Sequence, residues 1–237
     1  MTIYKEKKAD APIDILVVIS ILAAGVMVLA VGLLALQTQA ATSAMQTITN
    51  FFALDSVHIW WYITRAAGLM GYLLFWLSTV WGFAVSSKIF DSFLERMFTY
   101  DFHEHLSLLS LGFVVLHVLV LLVEKVEPLS LVEILVPFAS AYRPFWTGIG
   151  IIAFYLTILV TVTFYIRKWI SMKTFRVIHY LSVAAYVGAL FHSIYDGTDT
   201  VLTWVQWMYG GTTLVTVFFL VYWLALLWLR KSEQTPA

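Results

Sequence analysis

The sequence predicts an all-α integral membrane protein, a six-transmembrane-helix bundle with both termini on the cytoplasmic side. Three observations carry that expectation. The 237 residues are 61% hydrophobic and only 12% charged, with a mean hydropathy of +0.87, a composition suited to lipid. Six apolar runs are each long enough to cross a hydrocarbon core about 30 Å thick. Finally, the lysines and arginines fall unevenly about those runs, which fixes an orientation.

The runs cover residues 15–36, 59–85, 106–123, 147–166, 177–194 and 203–229. The first follows Lys5, Lys7 and Lys8 and is about 22 residues long, longer than the apolar core of a cleaved leader, so it reads as a membrane span followed by a polar outer loop over 37–50. A shorter run at 130–139 contains Glu133 and Pro137 and reads as an interfacial or re-entrant segment. Trp60, Trp61, Trp146, Trp169, Trp204 and Trp228 stand near span ends, where indoles anchor at the headgroups. With no repeat, no low-complexity tract and only eight residues after Leu229, residues 1–237 read as one transmembrane domain.

If six spans alternate, eleven cations (Lys5, Lys7, Lys8, Lys88, Arg96, Arg167, Lys168, Lys173, Arg176, Arg230 and Lys231) lie on one side and three (Arg65, Lys125 and Arg143) on or near the other. The richer side is the cytoplasmic one by the positive-inside rule. Asp55, Glu124, Glu127, Glu133, Asp196 and Asp199 gather on the outer side. A net charge of zero gives nucleic acid binding no electrostatic support. The absence of cysteine excludes disulfides, iron–sulfur ligation and covalent haem attachment.

Four histidines carry the functional reading. His103 and His117 are 117 − 103 = 14 residues apart, and His179 and His192 are 192 − 179 = 13 apart. At about 1.5 Å per residue each pair spans roughly 20 Å of helix. Ionisable groups inside a membrane span are expensive and mark function. Fourteen residues turn through about 1400°, within roughly 40° of whole turns, so His103 and His117 share a face, provided the third helix begins at or before His103. Thirteen residues leave His179 and His192 out by about 140°, which calls either for a bend or π-type irregularity, with Gly188 as its site, or for a different pairing.

Both helices run outward, so the expected pairs are an inner His103/His179 and an outer His117/His192, each able to hold a haem iron from two sides. His105, about 120° off the face of His117, is the alternative inner ligand to His103, and His58 reads as a surface or propionate-contacting residue. Zinc fits poorly, because its ligands must converge within about 2 Å of one ion.

With these residues placed, the chain resembles the ferric reductase-like transmembrane domain family over about residues 64–200. That family includes the membrane part of NADPH oxidases and iron reductases and the haem subunit of the periplasmic methionine sulfoxide reductase system. The marks are Arg65 to Leu69, His103 with Leu106 and Ser107, Leu116-His117-Val118, the stretch Pro137 to Pro144, Phe175-Arg176 before His179, and His192 followed by Gly197-Thr198-Asp199. The spans at 15–36 and 203–229 are additions to that core.

The resemblance implies two non-covalent b-type haems ligated by His103, His179, His117 and His192, and electron transfer from the cytoplasmic to the outer side. Oxidases and iron reductases continue into an FAD- and NAD(P)H-binding domain, and no Gly-x-Gly-x-x-Gly fingerprint is present here. The expected partners are therefore a separate flavoprotein or quinol as donor and an outer-side acceptor or partner protein, in a bacterial cytoplasmic membrane. The alternative is a haem-bearing anchor subunit that docks a partner oxidoreductase or a larger membrane complex.

Arg65 and Arg176 are the expected propionate partners, outer and inner, with Asp55 as another candidate neutraliser of Arg65 and simple anchoring an equal account of Arg176. Arg143 is balanced between the outer haem and an ordinary loop role. Gly68, Gly71, Gly82 and Gly188 read as positions of close helix or porphyrin approach. Asp196 and Asp199 read as solvated loop carboxylates, with a metal- or proton-binding role at the outer mouth as the alternative.

Overall fold

A computed structural model describes Ser43 and residues 58–232, and among them the secondary structure is entirely helical. Its elements are α1 (Ile59–Ser87), a 3-10 turn (Ile89–Ser92), α2 (Arg96–Leu121), α3 (Leu131–Leu135), α4 (Pro144–Tyr165), α5 (Met172–Tyr195), a second 3-10 turn (Asp199–Val201) and α6 (Thr203–Ser232). Five of these helices are long and apolar enough to cross a membrane. Even α4, at 22 residues, extends about 33 Å. The span expected at 15–36 lies outside the described residues. The chain is thus a multi-pass membrane protein.

Local chemistry sets the helix ends. Lys88 closes α1 in the left-handed conformation (φ 60), its N–H reaching the carbonyls of Ala84 and Val85. Pro144 at the first turn of α4 and the left-handed Arg143 before it (φ 40) start that helix. Ser171 caps α5 by accepting from the Thr174 N–H at 3.0 Å. Helix α2 begins ten residues before its apolar run, so His103 lies well inside it. The interfacial segment is the five-residue α3, held by a Ser130/Glu133 capping box, while Glu133 also accepts from the Ala141 N–H at 3.1 Å.

Two antiparallel pairs, α1 with α2 and α4 with α5, form the frame, and α6 lies along α1 and α5. The first pair is close because Gly71 admits Ser110, whose hydroxyl donates to the Gly71 carbonyl at 3.0 Å; a methyl on Gly71 would lie 3.0 Å from Val114. The joint of α1, α5 and α6 is aromatic yet satisfied in its polar atoms, as a lipid setting requires. Tyr72, Tyr186 and Tyr209 pack there with Leu190 and Val205, and the Tyr72 hydroxyl lies 2.6 Å from that of Thr212. Helices α2 and α5, by contrast, hardly touch. The space between them is where the histidines meet.

Candidate functional site

Helix α2 brings His103 and His117, and helix α5 brings His179 and His192, to opposite walls of that space. The rings of His103 and His179 have centres 6.1 Å apart and lie at 78° to one another. Those of His117 and His192 are 6.5 Å apart at 74°. Two imidazoles gripping one metal ion end-on have centres about 6 Å apart, from two metal–nitrogen bonds of about 2 Å and roughly 1 Å from each nitrogen to its ring centre. Both pairs match that separation. Among the described residues no group of three or more His, Asp or Glu side chains converges on one point. Each level therefore offers two facing imidazoles, too few for a zinc shell but the number that would complete a porphyrin's four nitrogens.

The outward-facing nitrogens support this fit. A ligating imidazole nearly always donates its other N–H to a neighbour, which fixes the ring and its tautomer. His117 Nδ1 donates to the Thr64 carbonyl at 2.8 Å, and His192 Nδ1 to the Trp146 carbonyl at 3.0 Å. His103 Nδ1 lies 3.3 Å from the Ser78 hydroxyl, which is in turn 2.7 Å from that of Ser107. In these three rings Nε2 is left for a ligand. His179 differs: its Nδ1 is buried without a hydrogen-bond partner, and its ring stacks on Phe175 at 5.4 Å.

Glycines back the same three rings. A methyl on Gly68 would lie 3.0 Å from His117, one on Gly82 would lie 3.2 Å from His103, and one on Gly150 would lie 2.5 Å from His192. Sequence reasoning named Gly68 and Gly82 but missed Gly150, Thr64, Ser78 and Trp146. A signal for two of them, Thr64 and Ser78, was present. In α1 the pairs Thr64/Gly68 and Ser78/Gly82 are 78 − 64 = 14 and 82 − 68 = 14 residues apart, the same interval as the histidines of the antiparallel α2. Each histidine of α2 thus meets one hydroxyl and one glycine.

No π-type turn occurs at Gly188. Helix α5 is α-helical throughout, and Gly188 sits against Ile149 and Ala153 of α4. Within α5 the two rings have different neighbours: His179 stacks on Phe175 one turn before it, and His192 reaches the Trp146 carbonyl of α4. His105 is exposed and bonded to the Asp101 carbonyl at 2.6 Å, facing away from α5. His58 is half-buried at the start of α1.

Asp196 and Asp199 are not the solvated carboxylates expected. Asp199 is buried and ion-paired with Arg65, whose Nε donates at 2.8 Å; Asp55 lies outside the described residues. Asp196 accepts from the Thr147 hydroxyl at 3.0 Å and stands 3.3 Å from His192 Nδ1. Burial pushes its carboxyl up to about 6, against the pull of Thr147 and Arg143. Arg143 donates to the Tyr195 carbonyl, and Arg176 is exposed one turn before His179. Glu104, beside His103, accepts from the Tyr165 hydroxyl at 2.9 Å and so ties α2 to α4. Around the outer pair opens a cavity with about 1460 Å³ of empty space, its mouth included, which Arg65, Gly68, Gly150 and Asp196 help to line.

Fold and site define a membrane protein in which two parallel helices present facing imidazoles at two depths. The model of the family described as "Ferric reductase like transmembrane component" matches residues 67–190, and the chain belongs to that family. It is accordingly a membrane electron-transfer component, of a class of domains that generally binds haem. The matched range holds His103, His117 and His179 and stops just short of His192. No curated protein and no solved structure matches the chain.

Proposed function

We propose that this chain is a di-haem b-type cytochrome that carries electrons across the cytoplasmic membrane of a bacterium. In this reading six spans cross the membrane, both termini are cytoplasmic, and His103/His179 form the inner level and His117/His192 the outer. The observation that carries it is the pair of ring separations, 6.1 and 6.5 Å, at two levels of the same two helices. Haem, when bound, supplies reversible one-electron exchange at its iron.

The chain's own residues do the rest. The four imidazoles present Nε2 across the gap, and Thr64, Trp146 and Ser78 hold three of the rings in orientation. Gly68, Gly82 and Gly150 leave those rings room. Along α2 the two levels are fourteen residues, or about 21 Å, apart, so one chain spans most of the bilayer. Arg176 lends positive charge at the inner level, and Arg65, its charge shared with Asp199, offers hydrogen-bond donors at the outer level, where propionates need them.

Non-covalent attachment follows from the lack of cysteine. A separate flavoprotein or a quinol supplies the electrons, and an acceptor or partner protein on the outer side removes them. Single substitutions test the ligand assignment. His103→Ala and His179→Ala should each lose one haem, and His117→Ala and His192→Ala the other, whereas His105→Ala should keep both. Full haem content in His103→Ala would refute the inner pair.

A further inference from the structure

The end of the molecule that carries His103 and His179 is electrically split. In the α1–α2 corner Lys88 and Arg96 are outnumbered by Asp91, Glu95, Asp101 and Glu104, a balance of 2 − 4 = −2. Arg96 is itself engaged by Asp91 at 3.3 Å. In the α4–α5 corner Arg167, Lys168, Lys173 and Arg176 stand within ten residues that include no acid, a balance of +4. All four are exposed. Among the described residues Arg167 donates only to the Phe164 carbonyl, at 2.9 Å, and Lys168 rests over Trp169; neither they nor Lys173 and Arg176 meet a carboxylate. Trp169 and Met172, at 64% and 56% exposure, add apolar area among the charges.

This corner also lies next to the inner histidine. Phe175 is in ring contact with Phe164 on one side and stacks on His179 on the other, and Arg176 is one turn before that histidine. Simple anchoring to anionic headgroups would favour cations at both corners, because both loops meet the same membrane face. The observed split instead gives the face a direction, and such a pattern orients a protein that carries its own charge pattern.

From this we infer that the α4–α5 corner is the docking surface for the acidic face of a soluble electron-donor protein. The inference rests on the electron-conduit reading and names its entry point. Docking there brings the donor against Phe175, which stacks on His179, while the negative α1–α2 corner repels a donor that arrives in the wrong orientation. The attraction is between charges across water, so it weakens within a Debye length of about 8 Å at physiological salt.

The test uses the full chain in nanodiscs of uncharged phosphatidylcholine, with reduced flavodoxin, a small acidic flavoprotein, as the probe. Binding is measured at low and high salt, with haem per chain recorded on the same preparations. Expected are binding that weakens at least tenfold from 20 to 300 mM salt on roughly four charge contacts, a similar loss at low salt in Lys168→Glu/Lys173→Glu, and no loss in Glu95→Lys/Asp101→Lys. Salt-independent binding, no binding, or equal loss in both variants would overturn the inference. So would an effect of Lys168→Glu/Lys173→Glu that appears only in discs with anionic phosphatidylglycerol, which would assign the corner to lipid. Binding does not require haem, so a haem-free preparation that still binds flavodoxin through Lys168 and Lys173 would refute the conduit reading and leave the acidic-partner surface standing.

Discussion

Gly150 shows how much a single hydrogen atom decides here. Its replacement by a methyl group puts carbon 2.5 Å from Nδ1 of His192 and 2.7 Å from two ring carbons, so the ring or the α4 backbone must shift. Gly150→Ala should therefore lose the outer haem and destabilise the protein by about 1–3 kcal/mol, as overpacking does. Gly210, with no neighbour near a would-be methyl, is the control, and Gly210→Ala should stay within about 0.5 kcal/mol of the parent. Thermal unfolding in detergent and haem per chain check both. Ser78 is the Nδ1 partner of His103. Its hydrogen bond makes the imidazole a stronger donor to iron, so Ser78→Ala should keep both haems and raise the potential of the inner one, as read by potentiometric titration. At this scale the sequence spoke clearly through its histidines, whose presence in lipid has a cost that few roles justify. It spoke less clearly through Thr64, Ser78 and Gly150, residues common in any membrane helix and meaningful only once their neighbours are known.

Between elements, the least foreseen contact is Arg65 of α1 with Asp199 of the turn before α6. The two residues are 199 − 65 = 134 apart, and nothing local in the chain announces that they meet. The pair joins α6 to the frame and sits at the mouth of the outer cavity. Asp199→Ala leaves a guanidinium without its partner and should cost about 3 kcal/mol, whereas Arg65→Met/Asp199→Leu, which removes both charges, should cost less. Unfolding midpoints of the two variants give the comparison. Helix existence was legible from apolar length alone, and α2 starts early enough to include His103. The π-type turn considered at Gly188 is not formed, because α5 stays α-helical and a side chain several ångströms long can cover part of an angular mismatch. Asp196 and Asp199 were misread because loop carboxylates are usually solvated, and their burial depends on the way α4, α5 and α6 converge.

At the scale of the whole molecule, the distribution of charge relates the bundle to the membrane. The described cations Lys88, Arg96, Arg167, Lys168, Lys173, Arg176 and Arg230 share the end that carries His103 and His179, opposite Lys125 and Arg143. Because the chain lacks cysteine, any introduced cysteine is its only thiol. In intact spheroplasts, Glu127→Cys should react with an impermeant maleimide and Lys173→Cys should react only after permeabilisation; the reverse pattern would invert the proposed orientation. The class of fold was legible because lipid imposes a coarse rule, long apolar helices with satisfied backbones. The partners were not, since they depend on surfaces the chain presents only when folded. The most direct measurement of the central claim is the pyridine haemochrome of the purified chain, with the reduced-minus-oxidised spectrum of the same sample. Two b-type haems per polypeptide are predicted; a folded protein, supplied with haem during expression, that purifies with none would contradict the account.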